Sequence, residues 1–389
     1  MADSTKIGAI LDALGFEETN TLETADIFVI NTCSIRQKSD DKVYGLGKVI
    51  KNLKETTNRS PIVILAGCVV GSAVGTRKRY ELDELMVKTS FVDLYLSPTQ
   101  INELPRILMP FLIEKGILPN SPINKVDFDN LDLQLKGKEA YVNISYGCDN
   151  FCSFCVVPYA RGREVSRPKE DIIKEITRLV SKGMTNVTLC GQNVNSWGLS
   201  PVEKSKIRIG GEQKLPFVEL LREIHDINGI QKIEFLSSNP FDFTQDLVDV
   251  FKLPKISNFL HIAVQSGNND VLHAMNRRHT IEEFHDLINR LKLARPDIEI
   301  GTDIIIGFPN ETREQFMDTV FLFQKIQFAV AFISMYSPRK GTNSFKNYDD
   351  NVSVEEKKYR HVYLSKIWKE NKFDGAKHSL NIHRKGNLD

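Results

Sequence analysis

Apolar positions along the chain alternate between short continuous runs and three-to-four-residue periods, which read as strands and helices respectively. ADSTKIGAILDALG places Ile7, Ile10, Leu11 and Leu14 on one helical face. DIFVIN (26–31) is a strand-length apolar run, and residues 34–54 return to helix with Ser34 at the N-cap position. PIVILAG (61–67) and FVDLYLS (91–97) are further strands. Such alternation implies a parallel sheet covered by helices. A doubly wound domain normally opens on a strand, whereas this chain opens on the helix that would follow one.

Residues 119–138 hold no sustained period and read as a linker. Alternation restarts at 139, with strands at 140–145, 186–190, 232–237, 260–264, 299–306 and 329–335. Helices are expected at 168–182, 216–227, 243–252, 280–294 and 311–325. Six strand–helix units fit a TIM-like sheet two strands short of closure. A last helix covers 354–373, and no repeat or low-complexity tract interrupts the chain. The expected class is α/β: a doubly wound N-terminal domain (1–118), a linker (119–138), a partial (β/α)6 barrel (139–370) and a basic tail (371–389).

Composition changes this picture little. The 389 residues suit two or three domains, and 41% hydrophobic with 26% charged residues is ordinary for a globular protein. The net charge of +1 gives no global field, so a nucleic-acid partner must be met by local basic patches. The N-terminus lacks a basic region followed by an apolar one, and no apolar run approaches the ~20 residues that span a bilayer. A cytosolic chain without membrane association is expected. In a reducing compartment, closely spaced cysteines among the six signal metal or redox chemistry over disulfides.

The segment YGCDNFCSFCVVPYARGR (146–163) spaces Cys148, Cys152 and Cys155 as CxxxCxxC directly after the first barrel strand. Loops at the carboxyl ends of barrel strands carry the chemistry of such folds. A four-iron cluster usually takes four thiolates. Three local ligands leave one iron open, the coordination vacancy that marks a catalytic site. The amino and carboxylate groups of S-adenosylmethionine (SAM) fit that vacancy, and electron transfer then cleaves the sulfonium. Against this stand a zinc knuckle, which lacks a nearby fourth Cys or His, a simple ferredoxin, which needs no barrel, and buried structural thiols. Cys33 and Cys68 end the strands DIFVINTC and PIVILAGC, where ligands gather in open α/β sheets. Two buried apolar thiols are the alternative there. Cys190, also at a strand end, reads as packing.

GCDNFCSFCVVPYARGREVSRP resembles the signature of the radical SAM methylthiotransferases, and most closely the MiaB type, the tRNA-2-methylthio-N6-dimethylallyladenosine synthases. NTCSIRQKSDDKV, GCV, LCGQNVNSWG, AVQSGNNDVLHAMNRRHT, GTDIIIGFPNET and YSPRKGT support it, so that it covers roughly residues 1–365. NTCSIRQK and VVPYARGREVSRP separate this type from enzymes acting on threonylcarbamoyl-adenosine or on a ribosomal protein. The resemblance implies that Cys148, Cys152 and Cys155 hold the SAM-binding [4Fe-4S] cluster. It implies that Cys33 and Cys68 are two of three ligands of an auxiliary [4Fe-4S] cluster carrying the sulfur. One SAM supplies a methyl group, another the radical that removes hydrogen from C2 of the adenine beside the anticodon. The family's first strand, ending in Gly-Cys, and its C-terminal RNA-binding TRAM barrel have no counterpart in this sequence. That puts completion of sulfur insertion in question more than SAM cleavage. The alternatives are a chain that cleaves SAM without inserting sulfur and a non-catalytic tRNA-binding relative.

The same resemblance directs Gln192, Asn193, Gln265, Ser266 and Asp303 to SAM, with Phe154 on its adenine. Turn chemistry, and packing for Phe154, are the plainer readings. Tyr159, Arg161, Arg163 and Arg167 are candidates for the tRNA anticodon stem-loop, because residues 155–182 carry seven Lys/Arg against four Asp/Glu. A solvated helix start explains them equally. Residues 357–389, with nine Lys/Arg against three Asp/Glu, are a further basic segment. The remaining expected partner is a reducing electron-transfer protein, and the chain is expected to be a monomer.

Overall fold

The computed structural model describes residues 2–34, 37–57, 59–117 and 137–373. The first sheet is parallel, in the order β1 (Ile27–Thr32), β2 (Ile62–Gly67), β3 (Leu94–Leu96). All six positions of β2 are buried, which is why IVILAG reads as an unbroken apolar run. The helices are α1 (Ala2–Ala13), α2 (Gln37–Thr57), α3 (Cys68–Val74), α4 (Leu82–Lys88) and α5 (Leu104–Glu114). Ile7, Ile10 and Leu14 of the α1 segment join Leu104 and Leu108 against Ile62 and Ile64 on one face. Val43, Val69 and Leu85 pack with Leu65 on the other, giving the expected doubly wound domain. The last three helices went unread in the sequence. Two are seven residues long, too short to show a period, and α5 carries Pro105 and Pro110, which read as breakers.

The second domain runs β4 (Glu139–Asn143), β5 (Ser145–Tyr146), α6 (Val157–Ala160), β6 (Val165–Ser166), α7 (Lys169–Ser181), β7 (Asn186–Cys190), α8 (Pro201–Lys206), α9 (Pro216–Asp226) and β8 (Lys232–Phe235). It continues α10 (Gln245–Val250), β9 (Phe259–His261), α11 (Asn269–Ala274), α12 (Ile281–Ala294), β10 (Glu299–Ile306), α13 (Arg313–Ile326), β11 (Val330–Met335), α14 (Asn343–Asn347) and α15 (Val354–Asn371). Strands pair in parallel as β4-β7-β8 and β9-β10-β11, and the parallel bridge Ser238–Ile262 joins the two halves. This is the expected open six-strand barrel. Capping boxes at Thr280/Glu283 and Thr312/Gln315 start α12 and α13 close to where the sequence placed them. Outward residues such as Val142, Leu189, Ile233 and Ile304 bury against Ile172, Leu220, Leu287 and Phe323 of the helices. The alternate positions Tyr141, Cys190, Glu234, His261 and Asp303 therefore face the lumen. The linker expected over 119–138 lies, up to 136, outside the described residues, as does most of the expected tail (374–389).

Two ionic clusters tie the parts together. Arg339, from the barrel segment YSPRKGT, reaches Asp40 at 2.5 Å and the Ser34 carbonyl at 2.8 Å. Arg79 donates to the Ser34 hydroxyl at 2.8 Å and to the Lys340 carbonyl at 3.2 Å. Ser34, Asp40, Arg79 and Arg339 are all buried, so this latch joins the two domains immediately beside Cys33. The Ser34 hydroxyl thus serves the guanidinium groups, a role hidden in the sequence because its partners lie 45 and 305 residues away.

The second cluster anchors α15. Arg313 grips Glu356 through two bonds of 3.1 and 2.8 Å, and Arg360 adds a third at 2.9 Å. The hydrogen bonds from Arg313 and then Arg360 hold the Glu356 carboxyl down at about 2. A depressed carboxylate stabilises the fold above its unfolded value and loses that contribution as pH falls through its folded value. Docking of α15 is therefore expected to be fully supported above pH 4.5 and to weaken as pH falls toward 2. Acid unfolding followed by circular dichroism should show this dependence, and E356Q should flatten it.

Candidate active site

The three cysteines lie on a loop clamped at both ends. β5 pairs antiparallel with β6, and the 18 residues between them carry the motif. Gly147 sits at φ 71°, and a Cβ there would meet the Arg163 carbonyl at 2.0 Å, so only glycine lets the two ends close. The loop is also pinned from outside. Ser153 donates to the carbonyls of Met275 (2.9 Å) and Ala274 (2.8 Å), and the Ser344 amide donates to Ser153 at 2.7 Å. Cys152 and Cys155 are held in one turn by a 2.9 Å backbone bond. The loop is thereby fixed at both ends and at Ser153.

Two of the sulfurs accept hydrogen bonds. The Val157 amide donates to Cys155 Sγ at 3.4 Å, and Arg277 Nη1 donates to Cys152 Sγ at 3.3 Å. Burial pushes the Cys148 thiol up to about 12 and the Cys155 thiol higher still, with the neighbouring thiols adding to it. Such thiols are inert as free nucleophiles and lose their protons only to a bound cation. Among the described residues, no three His, Cys, Asp or Glu side chains stand close enough for a single metal ion. Three thiolates from one loop are the donor set that leaves one iron of a four-iron cluster open. The donor set of three thiolates fits the group.

A polar cofactor also fits above the loop. Gln192 Oε1, Gln265 Oε1, Ser238 Oγ and Ser145 Oγ are buried at the strand ends and accept or donate no hydrogen bond among the described residues. Orphaned buried polar atoms at one mouth mark a ligand that completes them. Gln265 takes φ 76°, held between Asp303 and Ile305 of β10 by bonds of 2.9 and 3.0 Å. Asp303 faces the lumen with its side chain 43% exposed, 3.6 Å from His261 Nε2.

Other candidates take different places. Asn193 is 1% exposed and spends its amide on Ser196, Asp242 and Asn239, each at 2.8 Å. It braces the mouth from behind. Ser266 is fully buried and accepts from the Asn268 amide, shaping the turn into α11. Phe154 packs with Val271, Met275, Phe308 and Tyr336. Arg161 pairs with Asp3 at 2.6 Å and is hydrogen-bonded to Cys68. Arg167 binds Glu175 at 2.7 Å and the Asn143 carbonyl at 2.5 Å. Arg163 is exposed, and Tyr159 stands edge-on to Phe151 at 6.3 Å. Cys190 stays at the end of β7, where burial pushes its thiol up to about 11.

Sequence reasoning missed Arg277. Its buried guanidinium is fixed by Asn239 Oδ1 at 2.8 Å and the Ala263 carbonyl at 2.5 Å, over the Phe241 ring at 4.8 Å. The only signal was its place in the MNRRHT segment, where it is one of two adjacent arginines.

Cys33 and Cys68 follow the register pair Thr32–Gly67, so they leave adjacent strand ends side by side. α3, which begins at Cys68, packs on α6, which follows Cys155. At their contact a Cβ on Gly71 would meet the Ala160 carbonyl at 1.9 Å. The two cysteine sets are therefore joined through one close helix contact, with Arg161 crossing it.

Comparison with known proteins agrees with this architecture. Residues 142–323 match the Radical SAM superfamily and residues 1–90 match the Uncharacterized protein family UPF0004. A tRNA-2-methylthio-N(6)-dimethylallyladenosine synthase of Rickettsia conorii is 37% identical over 87% of this chain and 75% of its own length. The synthases of Aeromonas hydrophila (38%; 94% of this chain, 74% of theirs) and Zymomonas mobilis (36%; 99% and 83%) are similar. Among solved structures, the radical SAM methyltransferase TsrM from Kitasatospora setae shares the fold, with a TM-score of 0.60 at 15% identity over 88% of this chain and 74% of that one. Membership of the radical SAM superfamily implies a [4Fe-4S] cluster and SAM. The chain belongs to the tRNA-2-methylthio-N(6)-dimethylallyladenosine synthase family of radical SAM methylthiotransferases.

Proposed function

We propose that this chain adds a methylthio group to C2 of N6-dimethylallyladenosine, the base beside the anticodon of tRNA. The observation that carries the reading is the clamped three-cysteine loop at the barrel mouth, joined through α6 and α3 to the strand ends bearing Cys33 and Cys68. Cys148, Cys152 and Cys155 would hold the SAM-binding cluster. When bound, that cluster supplies the electron that splits SAM and generates the radical. Arg277 steadies the Cys152 thiolate, and Gln192 and Gln265 offer their orphaned oxygens to the SAM amino group. Tyr141 and Phe332, both partly exposed in the lumen, give the target base apolar walls. Cys33 and Cys68 would contribute to an auxiliary cluster. Arg163 and Tyr159 would meet the anticodon loop. Electrons would come from a reducing electron-transfer protein, and the enzyme would work as a monomer in the cytoplasm. No helix among the described residues is long and apolar enough to cross a membrane.

A second reading, SAM cleavage without sulfur insertion, rests on the cysteines of residues 1–118 as given, Cys33 and Cys68. Anaerobic reconstitution separates the two. The first reading expects about eight irons per chain, two four-iron clusters. It also expects methylthiolated adenosine in digested tRNA by mass spectrometry. The second expects about four irons, with 5′-deoxyadenosine but no modified base. Absence of 5′-deoxyadenosine under reduction overturns both.

A further inference from the structure

A tRNA substrate must be held by local positive charge, yet two of the arginines singled out for that task are committed elsewhere. Arg161 is spent on Asp3 and Cys68, and Arg167 on Glu175. The described residues offer a different cationic surface in the N-terminal domain. Between α2 and the end of α4 lies an open cavity of about 630 Å³. Lys48, Lys51, Lys54 and Lys88 line it, with Tyr44 and Phe91 between them and Glu55 as the sole carboxylate. Lys51 is weakly paired with Glu55 at 3.9 Å, both largely exposed. Lys48, Lys54 and Lys88 form no ion pair among the described residues. Lys88 Nζ instead lies 5.6 Å from the Tyr44 ring centroid. Four cations against one anion leave a local excess of three positive charges, in a chain whose total is +1.

The packing keeps this hollow open. Gly47 faces the Phe91 ring so closely that a Cβ would stand 2.8 Å from it, which lets α2 and the segment after α4 approach without filling the space. One wall of the cavity, at Tyr44, lies next to the latch. Tyr44, on its wall, is within the field of Asp40, Arg339 and Arg79, the latch beside Cys33. From Gln37, at the start of α2, Lys48 and Lys54 stand about 17 and 26 Å along the axis at 1.5 Å per residue. Lysines at graded distances from a site that handles one base suit a phosphate backbone leading away from that base. Single lysines grip phosphates as point charges without reading sequence.

We propose that the cavity lined by Lys48, Lys51, Lys54 and Lys88 is a tRNA subsite that holds backbone phosphates of the stem leading from the modified base. This rests on the tRNA assignment above and deepens it. The RNA runs from the barrel mouth across the latch and along α2, and the two aromatic rings lie beneath its sugars.

The test is fluorescence anisotropy of labelled full-length tRNA on the reconstituted chain without SAM, so that binding is read independently of catalysis. K48Q/K54Q/K88Q removes three cations from exposed or partly exposed positions. Each lost phosphate contact should flatten the dependence of log K on log[salt] by about 0.7–0.9. The triple variant is therefore expected to reduce that slope by about 2–3 and to weaken binding at least 10-fold at moderate salt. K48R/K54R/K88R should bind as the unaltered chain does. Circular dichroism and iron content check the fold. An unchanged slope and affinity in the glutamine variant overturns the subsite, whether or not the chain modifies tRNA. Equal losses in the arginine variant also overturn it, because they would show that lysine shape, not charge, matters. Failure of the unaltered chain to bind tRNA at all sinks the tRNA assignment itself.

Discussion

Cys152→Ala is expected to empty the barrel site. The variant should lose about four irons per chain after anaerobic reconstitution, the content of one such cluster. It should make 5′-deoxyadenosine from SAM more than ~100-fold more slowly, because even partners outside the first ligand shell are worth 10–100-fold at metal sites. Cys152 is only partly buried, and its sulfur packs against Arg277 and not into the core, so the metal-free fold should keep its unfolding midpoint. Iron analysis, absorption of the reconstituted protein and product chromatography check this together. A Cys152→Ala chain that keeps the iron content of the unaltered chain and cleaves SAM at the original rate would overturn the ligand assignment.

Gly71→Ala carries the second large effect, through a single methyl group. The new Cβ would stand 1.9 Å from the Ala160 carbonyl and 2.9 Å from Pro98 Cδ. Neither is the loose end of a flexible side chain, so α3 and α6 must separate. Overpacking of this kind costs about 1–3 kcal/mol. The functional cost should exceed the stability cost, because the displaced helices carry Cys68 on one side and follow Cys155 on the other. Misplacement by about 1 Å costs on the order of 100-fold where reacting groups must meet. We expect G71A to retain iron and to form 5′-deoxyadenosine, while methylthiolated product per 5′-deoxyadenosine falls at least 10-fold. Differential scanning calorimetry and the product ratio separate the two costs. An unchanged ratio would mean that the α3–α6 contact does not set the geometry between the cysteine sets.

The contrast between these substitutions follows what was legible. Cys152 could be read directly, because ligand spacing is local and CxxxCxxC lies within one loop. Gly71 could not, since its only distinction is a neighbour 89 positions away in sequence. The same division runs through the remaining site residues. Gln192 and Gln265 were proposed from their positions after strands, and their buried oxygens are orphaned at the mouth. Asn193, beside Gln192, has the same sequence credentials but turns into a hydrogen-bonded frame with Asp242 and Asn239. Strand-end position selects a neighbourhood and leaves the direction of each side chain open. Arg161 and Arg167 read as RNA contacts because net charge can be counted along a chain. Their carboxylate partners, Asp3 and Glu175, come from other elements and cancel them in space.

By itself the sequence determined the α/β class, the six-strand barrel and the three-cysteine loop. Periods of two and 3.6, apolar runs and motif spacing are all encoded over fewer than about 20 residues, the range over which one element forms. Tertiary structure alone decided which polar groups are satisfied, which charges are paired and how close the two cysteine sets come. Ser34, Arg79 and Arg339 meet as a latch, Arg277 reaches Cys152 and Gly71 touches Ala160 only because segments far apart in sequence are packed together. Hydrogen bonds and excluded volume act over a few ångströms of space and take no account of separation along the chain.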